Sequence, residues 1–172
     1  WKFNLNGKYI MPVIKMDDGS MMKNSIVLKA DVSGSIAIGK RHSLKIGATL
    51  GSSLLQEEPP LSYQFFVGGQ SNMNYFDNII SFDGLRFTQL YGDHIAIAKM
   101  SWQYNFYKNL YAIANVNGGY INSDYNSWFS DKSFVFGCGL TFGIETMAGP
   151  IELSLMGNNR CSDLVGFLNV GY

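Results

Sequence analysis

The residue types that most often perform chemistry are few in this 172-residue chain, and they are scattered. A hydrolase serine is usually displayed in a Gly-x-Ser-x-Gly turn, and no such run occurs. A phosphate-binding loop and the Cys/His spacing of a metal site are also missing. Cys138 and Cys161 are too few and too distant for a disulfide framework or a zinc site, one within a strand pattern and the other in a polar loop. His42 falls in a short turn and His94 at the start of a strand, and both read as solvent-exposed polar residues. We therefore assign no catalytic residue, metal ligand or cofactor to the chain, and expect no enzymatic activity of it as given.

The elements that would have to position any site are strands. Apolar and polar residues alternate with period two almost throughout, the signature of half-buried β-structure. Phe3, Leu5, Tyr9 and Val13 alternate with Lys2, Asn4 and Lys8, and Ile26, Leu28, Val32 and Ile36 with Lys29, Asp31 and Ser33. The same holds for 44–50, 96–106, 110–120, 134–144, 151–155 and 168–172, which makes eight strands of antiparallel character. Several run longer than the roughly 5–6 residues typical of soluble proteins and reach the length of about 9–11 that a tilted membrane strand needs. The connections KRHS, YKN and AGP are short and alternate with longer ones, as the turns and loops of outer-membrane barrels do. Aromatics gather near strand ends, at Tyr9, Trp102, Tyr104, Phe106, Phe134 and Tyr172, as interfacial girdles require.

The fold expected is therefore all-β: a transmembrane antiparallel β-barrel, spanning 1–172, in the bacterial outer membrane with outer-membrane lipid against its apolar face. Arginine at Leu140 should then block insertion, whereas arginine at Thr141, one residue on, should be tolerated. The alternative is a soluble eight-stranded ligand-binding barrel with its polar face outward. The net charge of zero offers no field for nucleic acid, and no stretch approaches the roughly 20 apolar residues of a membrane helix. Trp1–Lys15 lacks the basic start and apolar segment of a signal peptide. With no initial Met, the chain reads as a mature or excised piece of something longer.

One segment breaks the alternation. Residues 56–91 are too long for an ordinary connection, because structureless loops beyond about 12–15 residues are uncommon. They are also too aromatic to stay solvated. Phe65, Phe66 and Phe82 need a surface to bury against, and Gly68-Gly69 marks a tight turn or a close backbone approach. An ordered loop folded into the lumen is expected. The charges Lys29, Asp31, Lys45, Lys99, Glu145 and Glu152 fall on the polar, lumen-facing side of the strands. A charge held inside a barrel is stabilised by a partner, so Arg86 of the loop is expected to meet Glu145 on the wall.

Phe65-Phe66-Val67-Gly68-Gly69, Phe82-Asp83-Gly84-Leu85-Arg86-Phe87 and the ending GCGLTFGIETMAGPIELSL…FLNVGY resemble the C-terminal barrel of the bacterial surface antigen superfamily. That superfamily contains outer-membrane assembly factors, two-partner secretion transporters and outer-membrane patatin-like phospholipases. The resemblance covers roughly Leu44 to Tyr172. It implies that Phe65, Phe66, Gly68, Gly69, Phe82, Gly84 and Arg86 form the motif of a sixth extracellular loop folded back into the lumen. It also implies that the eight strands are the second half of a sixteen-stranded barrel, completed by a missing N-terminal half or by a second copy. The Val-Arg-Gly-Phe/Tyr element of assembly and secretion factors is absent, and the Arg of its nearest counterpart is displaced to position 86. In this form the loop is more similar to the patatin-like branch, which implies a barrel anchoring, and helping to export, an upstream patatin-like phospholipase with its serine–aspartate dyad before Trp1. The alternatives are a barrel that inserts or secretes other proteins and a stand-alone eight-stranded structural barrel.

Overall fold

A computed structural model describes residues 2–10, 25–54, 64–70, 76–123, 133–160 and 163–171. The eight alternating runs form the strands β1 (Lys2–Ile10), β2 (Ser25–Ile38), β3 (His42–Leu54), β7 (His94–Asn105), β8 (Leu110–Asn122), β9 (Phe134–Thr146), β10 (Gly149–Asn158) and β11 (Val165–Val170). They make one sheet in the order β1-β2-β3-β7-β8-β9-β10-β11. Every pairing in it is antiparallel. Three further short strands, β4 (Phe65–Val67), β5 (Ile79–Ile80) and β6 (Leu90–Gly92), lie within the long loop and form their own sheet in the order β5-β4-β6. The all-β expectation holds. The small sheet was not foreseen, because strands of two or three residues are too short to display a period.

The register fixes which residues share a face. Leu44 lies opposite Trp102, Ile46 opposite Met100, and Ala48 opposite Ala98. Leu155 lies opposite Leu140 and Leu153 opposite Phe142. These residues form an apolar face that stays largely uncovered, with Leu140, Phe142, Leu153 and Leu155 all exposed. At its short-turn end the His42 ring stacks on Tyr104 at 4.7 Å and on Trp102 at 5.7 Å, and Tyr104 meets Phe106 edge-on at 4.7 Å. At the other end Tyr120 packs against Phe134 at 5.2 Å. Of the aromatics expected near the strand ends, Trp102, Tyr104, Phe106 and Phe134 therefore make ring contacts, Tyr9 stands exposed on β1, and Tyr172 lies outside the described residues.

The buried core lies on the opposite face, between sheet and loop. Ile95, Ile97, Ile121 and Val135 of the sheet meet Phe65, Val67, Ile80, Phe82 and Leu85 of the loop. Fully burying such side chains stabilises by about 1.5–3 kcal/mol each, which explains why the described loop residues 64–70 and 76–93 are held against the sheet. Two expectations are corrected here. Thr141 does not face open solvent: it is 1 % exposed beneath the loop, so arginine there would meet protein. His94 is buried at 5 % and shares a hydrogen bond with Ser52 at 2.9 Å, because the loop returns to the sheet at Asp93 and covers it. Cys138 is exposed on the apolar face, and Cys161 lies outside the described residues.

β1 and β11 end the sheet and do not pair with each other. In the described part of β1, Phe3 and Leu5 are each 69 % exposed, as are Leu168 at 70 % and Val170 at 67 % in β11.

Candidate functional site

The site is the seat of the loop on the polar face. Its shape depends on what the strands leave out. Gly51, Gly137 and Gly143 sit on that face among Lys, Asn and Thr, so the backbone itself can be approached. A Cβ at Gly51 would come within 2.7 Å of the Phe65 ring. At Gly137 a Cβ would overlap the Asp83 carbonyl oxygen. Gly143 is filled instead by the ring of Tyr111, whose hydroxyl donates to Glu152 at 2.8 Å.

The loop backbone is shaped to match. Phe66 pairs with Ile79 and with Tyr91, so β4 holds the two halves of the loop together. Gly68 and Gly69 follow with φ of 140° and 77°, values that L side chains rarely adopt, and a Cβ at Gly68 would overlap the Arg86 carbonyl. The Gly69 amide donates to the Leu85 carbonyl at 3.0 Å, and the Phe82 amide returns to the Gly69 carbonyl at 2.9 Å. The two motif segments, distant in sequence, are thereby locked to each other.

Polar contacts then fix the loop to the wall. Gln70 Nε2 donates to Ser154 Oγ at 2.7 Å and to Thr141 Oγ1 at 3.2 Å, while those two hydroxyls bond each other at 2.8 Å. Asn117 Nδ2 donates to the Asp83 carbonyl at 3.1 Å, and Asn158 Nδ2 to the Gly84 carbonyl at 2.6 Å. Lys99 Nζ donates to Ser81 Oγ at 2.7 Å. At the far edge Lys8 of β1 pairs with Asp77 at 2.8 Å. Burial pushes the Asp83 carboxyl up from its ordinary range, with nearby Lys99 opposing, whereas Lys8 holds the Asp77 carboxyl down.

The motif residues thus have distinct placements. Phe65 and Phe82 are buried anchors at 1 % exposure, and Phe66 packs against Tyr91 at 6.4 Å. Gly68, Gly69 and Gly84 are buried turns. Arg86 is corrected: it points to solvent and approaches Asp163 at 3.9 Å, not Glu145. Glu145 lies opposite Pro150 beside the short β9–β10 turn, the other end of the sheet from the loop, and is exposed. The wall residues that do hold the loop, Asn117, Thr141, Ser154 and Asn158, were missed. Their only sequence signal is a small polar residue at an inward position of a long strand.

The remaining polar face is open. Lys29 pairs with Asp31 at 3.2 Å, Thr49 donates to Asp31 at 2.7 Å, and together with Asn4, Asn6, Ser81 and Lys99 they bound a pocket of about 260 Å³. Among the described residues no group of three or more His, Cys, Asp or Glu could hold a metal ion. No curated protein matches the sequence. A model of the OMP85 superfamily matches residues 2–172, a family of β-barrels, and with that match across the whole sheet and its loop the chain belongs to the OMP85 superfamily.

Proposed function

We propose that the chain is the C-terminal half of a sixteen-stranded outer-membrane barrel whose lumen is occupied by the 56–91 loop. The observation that carries this is the seating of Phe65 and Phe82 against small inward positions of the sheet. Eight strands close around an interior just wide enough for side chains, whereas sixteen leave an aqueous lumen with room for such a loop. The outer edges of β1 and β11, unpaired among the described residues, support the same reading, because hydrocarbon tolerates no open edge. Their partners would be strands of an N-terminal half or of a second copy. The apolar face would meet outer-membrane lipid, and Phe65, Phe66, Gly68, Gly69, Phe82, Gly84 and Arg86 would act as a lumen-loop motif with a structural role.

Within the family, we infer that the barrel anchors, and helps export, an upstream patatin-like lipid hydrolase. The support is the form of Phe82–Phe87, in which Arg86 points outward to Asp163 while Gly84 takes the buried approach to β10. The full polypeptide should hydrolyse a phospholipid ester in outer-membrane fractions, and an alanine at its upstream nucleophile should abolish this. A polypeptide with no such activity, whose depletion instead removes other barrels from the outer membrane, would establish the insertion reading in its place.

A further inference from the structure

The short-turn end of the sheet carries a second arrangement, separate from the loop seat. The turn between β2 and β3 holds Lys40 and Arg41, and the turn between β7 and β8 holds Tyr107, Lys108 and Asn109. These turns are neighbours because β3 pairs with β7, and the Asn105 amide donates to the Arg41 carbonyl at 2.9 Å. Between them lies a cleft of about 980 Å³ bounded by Lys40, Arg41 and Lys108 and by Phe106, Leu110 and Ile144. Among the described residues the ion pairs engage Lys8, Lys29 and Arg86, and no carboxylate neutralises these three cations. Glu145 is the acidic residue next to the cleft. Its amide bonds the Asn109 carbonyl at 2.8 Å, and strand alternation sets its side chain on the polar face, away from Ile144.

The apolar side of the cleft has a direction. Phe106, Leu110 and Ile144 belong to the uncovered apolar face, at 45 %, 45 % and 40 % exposure. The row of His42, Trp102 and Tyr104 rings borders them. A site for a free anion would need the cations without the apolar floor. A docking site for an acidic protein would not place that floor in line with the hydrocarbon-facing surface. Three cations above an apolar slope, at the level of an aromatic row, complement a molecule with a negative head and a hydrocarbon body.

We propose that this cleft binds an anionic phospholipid, its phosphate held by Lys40, Arg41 and Lys108 and its acyl chains lying along Leu110 and Ile144. This rests on the membrane-barrel reading. A Lys or Arg near an anionic bilayer surface strengthens attachment by roughly fivefold. The full polypeptide, folded into nanodiscs of phosphatidylcholine with a minority of phosphatidylglycerol and then moved to detergent, should retain phosphatidylglycerol preferentially by native mass spectrometry. Replacing the cations together (Lys40→Gln, Arg41→Gln, Lys108→Gln) should weaken that retention by roughly fivefold per charge, while Lys40→Arg with Lys108→Arg should keep it. Equal retention of both lipids, or unchanged selectivity in the triple Gln variant, would overturn the proposal. Displacement of the lipid by glycerol phosphate at matched concentration would do so too, since it would mark a free-phosphate site. A crosslink from the cleft to an acidic protein in cells, in place of lipid, would also overturn it. A polypeptide that never enters nanodiscs contradicts the barrel reading itself; one that enters without selecting lipid contradicts only this inference.

Discussion

Gly137 of β9 lies so close to the backbone carbonyl of Asp83 that a single added carbon would overlap the oxygen. The two backbones meet with no side chain between them, so added bulk disturbs the contact directly. Gly137→Leu should displace the Asp83–Gly84 segment at a cost of about 1–3 kcal/mol, the usual cost of overpacking. Gly118→Leu, where the nearest atoms are 3.6 Å away on exposed aromatic rings, serves as the control. Amide exchange across the loop should rise in the first variant and stay unchanged in the second.

The Gln70 amide bridges Thr141 and Ser154, but those hydroxyls also bond each other. Gln70→Ala therefore leaves them partnered, and the expected loss is about 1–3 kcal/mol for two ordinary hydrogen bonds. Thr141→Val removes the shared partner and should cost more than its lost bond alone. The comparison is made by urea unfolding of the barrel in lipid vesicles. Equal, negligible effects would mean that the loop is not seated through this bridge.

Much of this arrangement was legible in the sequence. Long alternating runs such as 134–144 announce both the strand and its apolar face, and the short turns read at 40–43 and 148–150 fall within two residues of the observed 39–41 and 147–148. Phe65 and Phe82 announced that this segment must bury side chains against a surface, and both do so on the sheet. What stayed hidden lies where both faces of a strand are apolar. Ile95 and Ile97 alternate with Ala96 and Ala98, so nothing in the pattern says that the isoleucines meet protein and the alanines do not. The partner of Arg86 was misassigned for a related reason. Period two assigns a residue to a face but not to a height along the barrel, and Glu145 is on the right face at the wrong end.

The orientation of the sheet should be readable by charge. Met100 lies on the apolar face and Ser101 on the polar one, where it lines an open pocket of about 300 Å³ beside the loop. Met100→Arg should weaken folding into lipid vesicles by about 2–4 kcal/mol near the bilayer midplane. Ser101→Arg should be tolerated far better. Equal damage from both would contradict the membrane assignment.

Acidification should tighten the loop. Burial raises the Asp83 pKa in the seated state above the ordinary carboxyl range that a released, solvated loop would restore. A raised acid favours seating fully below the released value and loses that contribution as the pH climbs through the seated value. Protection of the Phe82–Leu85 amides should therefore increase between neutral and mildly acid pH. Asp83→Asn should remove this dependence while keeping the backbone carbonyl bond from Asn117.

The eight strands are not expected to close on themselves. Cysteine pairs placed across Phe3–Tyr9 of β1 and Gly166–Asn169 of β11, in the full polypeptide folded in a bilayer, test this most directly. No intramolecular crosslink is expected between these two edges in a monomer, and efficient crosslinks are expected from each edge to strands outside this chain. Efficient β1–β11 crosslinking in a monomer would mean a closed eight-stranded barrel, with no lumen wide enough for the loop.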